Sequence, residues 1–423
     1  MNSSFHANTK PASHSSSPAW RWEKITFFYS SRGLRGIVQG YSLVCFLIDL
    51  HDLGWSPFAS GTLLSGSLLY EFVMTLLIGR LADRNGTARL LAGGEVLSFF
   101  AAILYFIHTS SFMLGTAAVL SGMGQRSNGS PGPFAPAEQV LLIKGALPLR
   151  TFAAFGKNTS FGLLGMSIGA ILGSLSGRMG FTNPYQNLDL ILAILAIFSL
   201  TNVLLILIGP KFPEQGLKNA HPPSHHSTPL SKREKKNLSL LILSNAFFGF
   251  GMGLVDPMIA YWFILRFHTD PSHTAFFLAV SFLASAGCSY FLSEYPEPGG
   301  SFRFILLLQF CAFFSLALIP FLSFYSLDLF LYSLRIVFTR APGGLRQAMA
   351  TTLVSREHVG KAASFYFTSL QIAQIAAPSL TGFLWRKGLT NAPMELAIAS
   401  SMISIIIYAA LFLKNETGND RYR

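Results

Sequence analysis

The sequence predicts an all-α polytopic membrane protein with twelve transmembrane helices arranged as two six-helix halves. Three observations predict it. Of the 423 residues, 51% are hydrophobic and only 12% charged, with a mean hydropathy of +0.46. Soluble domains carry about 25% charged residues, so the polar surface for a soluble fold of this length is missing. Apolar runs recur along the whole chain, and twelve spans of about 22 residues use roughly 264 residues and leave short loops. Finally, 31 Lys and Arg outnumber 19 Asp and Glu. They gather between alternate apolar runs, the pattern of a topology signal rather than of a nucleic-acid surface. A cytosolic enzyme, a disordered chain and a disulfide-stapled secreted domain are thereby excluded. Cys45, Cys288 and Cys311 all lie inside apolar runs and read as free thiols.

Residues 1–31 form a polar N-terminal tail without the apolar core of a cleaved signal peptide. Spans follow near 33–51, 57–79, 88–108, 111–142, 151–176 and 186–209, an N-terminal bundle over 32–209. A second set near 238–266, 273–293, 303–323, 326–353, 361–385 and 393–413 makes a C-terminal bundle over 237–413, followed by a tail at 414–423. The Pro-, Ser- and His-rich stretch 210–236 joins them as a linker, since such a composition builds no core. Of the 31 basic residues, 23 fall on the side of the two termini, Arg32 and Arg35 among them, and four on the other. Both termini are therefore expected in the cytoplasm, with the chain in the cell or inner membrane. His221, His225 and His226 lack the spacing of a metal site, and neither metal nor cofactor is expected.

The halves resemble each other at a shift near 208: 377–382 aligns with 169–174, Arg346-Gln347 with Glu138-Gln139, and Arg126 lies opposite Arg335. Parallel repeats of this kind put a substrate site between the halves, near the membrane midplane. In the fourth span, the run from Arg126 to Gln139 contains two glycines and three prolines. A helix interrupted at membrane depth lines a cavity, because its freed backbone groups need partners.

The loop after the second span reads Gly79-Arg80-Leu81-Ala82-Asp83-Arg84-Asn85-Gly86-Thr87-Ala88-Arg89. It resembles the G-x-L-a-D-R-x-G signature of the major facilitator superfamily, departing at Thr87 and Ala88, where that family has basic residues. The resemblance implies a gating role for Gly79, Leu81, Asp83, Arg84, Gly86 and Arg89, latching the halves on the cytoplasmic side. In the second half only Glu294 of this signature survives. Gly156, Gly165, Gly169 and Gly173 strip one face of the fifth span, which suits close helix packing. Their spacing is also similar to the family's antiporter motif, with Ala170 in place of its proline and Ser174 in place of its last glycine. That resemblance implies export by antiport.

Charged residues inside spans are costly and are functional candidates by default. The fold implied by the resemblance lines its cavity with the first, fourth, seventh and tenth spans. The candidates for substrate binding and coupling are therefore Arg126, Asp256, Arg335 and Arg340, with Gln39, Tyr41, Asp49 and Tyr261 in support. Asp49, near the far end of its span, is expected to be solvated. Glu71 and Glu95 fall on spans away from the cavity and are expected to pair with arginines. Two readings of the cavity follow: an anionic substrate held by Arg126 and Arg335, or arginines neutralised internally by Asp256, Glu71 or Glu95. Asp256 is the candidate proton carrier. With no P-loop spacing for ATP, the expectation is a monomeric secondary transporter of a small solute, a proton-coupled exporter. Proton-coupled uptake of a small organic anion is the alternative, or a non-transporting receptor or scaffold on the same fold.

Overall fold

The computed structural model describes residues 18–82, 87–107, 110–125, 129–145, 151–178, 184–208, 230–294, 301–346, 353–354 and 359–419. All regular structure in them is helical. Uninterrupted apolar runs form single helices: α1 (Pro18–Asp52), α2 (Pro57–Ala82) and α3 (Thr87–Ile107). Glycine and proline split the fourth span into α4 (Ser111–Ser121) and α5 (Ala135–Gly145), as the sequence predicts; α6 (Thr151–Arg178) and α7 (Pro184–Ile208) complete the first half. The second half begins with α8 (Lys232–Val255), opened by a capping box between Ser231 and Glu234. It breaks at Asp256-Pro257 and resumes as α9 (Ile259–Phe267). Then come α10 (Pro271–Ser293), α11 (Ser301–Leu318), α12 (Tyr325–Arg340), α13 (Val359–Gln374), α14 (Ala377–Arg386) and α15 (Ala392–Asn419). Nine segments among the described residues are long and apolar enough to cross a bilayer. The paired α4/α5 and α13/α14 and the shorter α12 occupy the remaining positions of the twelve.

The break after α4 shows how irregular backbone survives in an apolar core. Gly122, Gly124 and Gly129 take φ of +69°, +74° and +66°, which a side chain rarely adopts. The freed groups are met by one face of α1. Arg35 Nη1 donates to the Gly129 carbonyl at 3.2 Å, Gln39 Nε2 to the Ser130 carbonyl at 2.7 Å, and the Gly124 N–H donates to Ser42 Oγ at 3.3 Å. Residues 35, 39 and 42 are one helical turn apart, so a single stripe supplies all three partners.

Small residues decide which helices touch. A Cβ at Gly165 or Gly169 of α6 would fall on the carbonyl oxygen of Gly33 or Ile37 of α1. The second half repeats the device with Gly249 and Gly253 of α8 against α13 and α14. Between the halves, α6 and α10 run antiparallel, with Ser160, Ser167 and Ser174 donating to the carbonyls of Ala286, Ala279 and Ser272 at 2.7–2.8 Å. Both series step by seven residues, so the contact extends along the full helix pair. On the opposite flank, Gly61 of α2 sits against the Pro378 carbonyl, and Gly382 of α14 against that of Pro57. Outward-facing Phe100, Ile197, Leu207, Leu283, Phe314 and Ile406 are each more than half exposed, as expected of a surface solvated by lipid.

Gly165→Ala is expected to destabilise the protein by about 1–3 kcal/mol, because the new methyl meets backbone that cannot yield. Gly93, where an added methyl would find nothing within 4 Å, serves as its control. Gly93→Ala is expected to be neutral or to stabilise by up to about 1 kcal/mol. Thermal unfolding of the two variants in detergent compares them directly.

Candidate functional site

The break at the end of α8 builds the site. Pro257 has no N–H and cannot continue the α-helix, so Asp256-Pro257-Met258 form a 3-10 turn that leaves the Asp256 carboxylate facing α12. On α12, Tyr332, Arg335 and Arg340 share the face opposite it. Asp256 Oδ1 accepts from Arg335 Nη1 at 2.5 Å and from the Tyr332 hydroxyl at 3.2 Å, while Oδ2 accepts from Arg340 Nη2 at 3.5 Å. All four side chains are buried. One carboxylate thus stands between two guanidinium groups, and the cluster carries a net positive charge. Its contact with Arg335 is the shorter, and that with Arg340 is at the limit of a hydrogen bond.

Asp256 and Arg340 of this cluster stand in the wall of a cavity of ≈ 50 Å³ between the halves. Leu43, Leu68 and Gln125 line it from the first half, and Asp256, Arg340 and Gln374 from the second. Beside it, Glu71 of α2 accepts from Gln125 Nε2 at 3.1 Å and from Gln371 Nε2 of α13 at 3.2 Å. Glu71 therefore bridges the halves one hydrogen bond from the cavity, contrary to the expectation that it lies apart from it. The reason is that α2 packs against the second half, which a count of spans does not reveal.

A second charged cluster lies inside the first half. Arg35 Nε donates to Glu95 Oε1 at 2.5 Å and its Nη1 to Glu138 Oε1 at 2.8 Å. Arg32 pairs with the other oxygen of Glu138, which also accepts from Asn158 of α6 at 3.3 Å. Two guanidinium groups meet two carboxylates, so this network is electrically balanced. Glu95 pairs with an arginine as expected. Arg32 and Arg35, however, are not charges at the membrane surface: Arg35 is 7% exposed and joins α1, α3 and α5.

Among the predicted residues, Asp256, Arg335 and Arg340 come together, while Arg126, Asp83, Arg84 and Gly86 lie outside the described residues. Gln39 lies inside the first half on Ser130. Tyr41 is fully buried against Gly173 and does not reach the cavity. Asp49 is not solvated: it is 2% exposed and accepts from Asn187 of α7 at 3.1 Å, because α7 packs over the end of α1. Tyr261 also sits away from the cavity, its hydroxyl 2.8 Å from His51 Nδ1, where it ties the halves together at the end remote from the termini. Gly79 and Leu81 fall in the last turn of α2, and Arg89 is exposed on α3. Gly165, Gly169 and Gly173 pack on α1, whereas Gly156 meets Ser293 of α10 in the other half. Beside that contact, Lys157 pairs with Glu294 at 2.5 Å. Gly165-Met166-Ser167-Ile168-Gly169 has the spacing of a hydrolase nucleophile, yet it lies mid-helix with Ser167 bonded to Ala279. That motif needs a strand-to-helix turn.

The sequence alone does not single out Tyr332, Gln125 or Glu138 as site residues. Tyr332 precedes Arg335 by one turn, and Glu138 occupies the place of Arg346 in the repeat, so each carries a signal that could have found it. Nothing local marks Gln125.

The model of the Major Facilitator Superfamily matches residues 36–343. No curated protein matches this chain in sequence. Among solved structures, it is similar to a bacterial homologue of the human lysosomal transporter Spinster, in an inward-facing and occupied conformation. The TM-score is 0.66 at 15% identity, over 95% of this chain and 98% of that one. The human organic anion transporter MFSD10 gives a TM-score of 0.69 at 13% identity, over 93% and 100% of the two chains. A structure on substrate recognition in proton dependent oligopeptide transporters gives 0.70 at 15%, over 94% and 99%. At such identities the likeness speaks for the fold alone. With the family match spanning most of both halves, this chain belongs to the major facilitator superfamily, a multi-pass membrane protein with the fold of secondary transporters.

Proposed function

We propose that this protein moves a small organic anion across the membrane together with a proton, by alternating exposure of the cavity between its halves. The observation that carries this reading is the single Asp256 carboxylate shared by Arg335 and Arg340 at the cavity wall. When Asp256 takes up a proton, both guanidinium groups lose that counter-charge and turn to an anion entering the cavity. Arg340, held at 3.5 Å, exchanges first. Proton and anion then bind together, which is the logic of symport. The cavity of ≈ 50 Å³ is too small for an organic anion and widens around its substrate during transport. Arg126 and Gln125 supply contacts from the first half. The loop from Gly79 to Arg89 latches the cytoplasmic side, where 23 of 31 basic residues gather with both termini. The protein works as a monomer in the cell or inner membrane.

Export by proton antiport is the second reading, favoured by the spacing of Gly156, Gly165, Gly169 and Gly173. Proteoliposomes distinguish the two. With labelled small carboxylates on both sides and an imposed pH gradient, symport accumulates the anion on the alkaline side and antiport on the acidic side. Asp256→Asn is expected to remove the response to the gradient. Movement of cations or neutral solutes alone, with every carboxylate excluded, overturns the anionic substrate.

A further inference from the structure

A second cavity, of ≈ 20 Å³, lies wholly within the second half. Phe248 of α8, Gln309 of α11, Arg335 and Thr339 of α12, Ser401 of α15, and Arg346 just beyond α12 line it. Arg346 is 4% exposed, and its guanidinium carbon sits 3.7 Å from the centre of the Phe248 ring. Its Nε and Nη2 donate to no atom. Gln309, 5% exposed, has neither its amide nitrogen nor its oxygen bonded. Among the described residues no carboxylate pairs with Arg346.

The repeat explains why this is unusual. The matching cavity of the first half is lined by Arg35, Glu95, Ser130 and Asn202, and its arginines are balanced by Glu95 and Glu138. In the second half, Arg346 stands at the position of Glu138. The helix α11, equivalent to the α3 that carries Glu95, presents the neutral Gln309. At the same shift Glu95 falls opposite Arg303, so neither carboxylate of the first half is kept at its position. A guanidinium keeps its proton in any protein environment, and a buried charge requires a counter-charge or a large desolvation penalty remains. The ring of Phe248 answers part of that need on one face. Arg346 and Gln309 both line a space that holds one particle about the size of a water molecule. That volume excludes an organic anion or a phosphate group.

We propose that a chloride ion occupies this cavity, held by the Arg346 guanidinium and the Gln309 amide, as the counter-charge that Glu95 and Glu138 supply in the other half. The ion is a fixed constituent of the second half, apart from the cavity at Asp256, and the site stands whether or not the transported solute is an anion.

The test uses the full-length protein purified in detergent, with chloride titrated against gluconate at constant ionic strength. The unfolding temperature is expected to rise with the logarithm of chloride once its dissociation constant is passed, and bromide is expected to replace chloride. Crystals grown in bromide should give an anomalous peak beside Arg346. Arg346→Gln should remove the chloride response. Gln309→Glu returns a carboxylate to the cavity, and should make the protein insensitive to chloride without loss of stability in gluconate. That variant carries the test if Arg346→Gln does not fold. An unfolding temperature that is the same in chloride and gluconate overturns the site, leaving a water molecule beside the ring. So does a Gln309→Glu protein that responds to chloride as the wild type does.

Discussion

Asp256→Ala is expected to abolish coupled transport and to destabilise the fold by about 3–5 kcal/mol, the cost of breaking a buried ion pair from one side. Asp256 is the carboxylate that Arg335 and Arg340 share. Its removal leaves two guanidinium groups facing each other in an apolar wall. The double variant Asp256→Ala/Arg335→Met separates structure from function. Replacing a buried pair by apolar side chains is often neutral in stability, so much of the lost stability should return. Transport should not, since neither the proton carrier nor its anion partner remains. Thermal unfolding and proteoliposome flux, measured on the same preparations, give both results. Wild-type flux in the double variant would remove Asp256 and Arg335 from the transport site.

Glu138→Ala is expected to destabilise the first half by a similar amount, about 3–5 kcal/mol. Glu138 is 1% exposed and accepts from Arg32, Arg35 and Asn158. It thereby ties α1, α5 and α6 together, and Glu95 adds α3 through Arg35. Without it, one carboxylate faces two guanidinium groups, and Arg35 loses the partner that orients it toward the Gly129 carbonyl. The irregular stretch after α4 would then lose one of its three partners from α1. Arg89→Ala, at an exposed position on α3, is the control and should change stability by less than about 0.5 kcal/mol. If the two variants unfold at the same temperature, the network of the first half contributes no stability.

The contrast between these two clusters bears on what a sequence can reveal. Arg335, Arg340 and Asp256 can be proposed as partners because a charge in a membrane span has few places to go. Arg35 cannot be distinguished from the basic residues that flank it. Near the start of a span, a lysine or arginine reaching the headgroups and one buried in the bundle look alike. What separates them is the carboxylate opposite, and Glu138 lies more than a hundred residues away in the chain. Asp49 and Glu71 depart from expectation for the same cause. Their burial depends on α7 covering α1 and on α2 meeting the second half.

From the sequence by itself came the all-α membrane class, the two halves, the broken fourth span and the superfamily. These follow from hydropathy, periodicity and local motifs, which act over one or two helical turns or repeat along the chain. The tertiary structure alone decided which charges are balanced. It paired Arg35 with Glu95 and Glu138, gave Asp256 two arginines, and put Arg346 in a cavity wall with no carboxylate partner among the described residues. Ion pairing acts through space at a few ångströms, and only the packing of distant helices determines which side chains come that close.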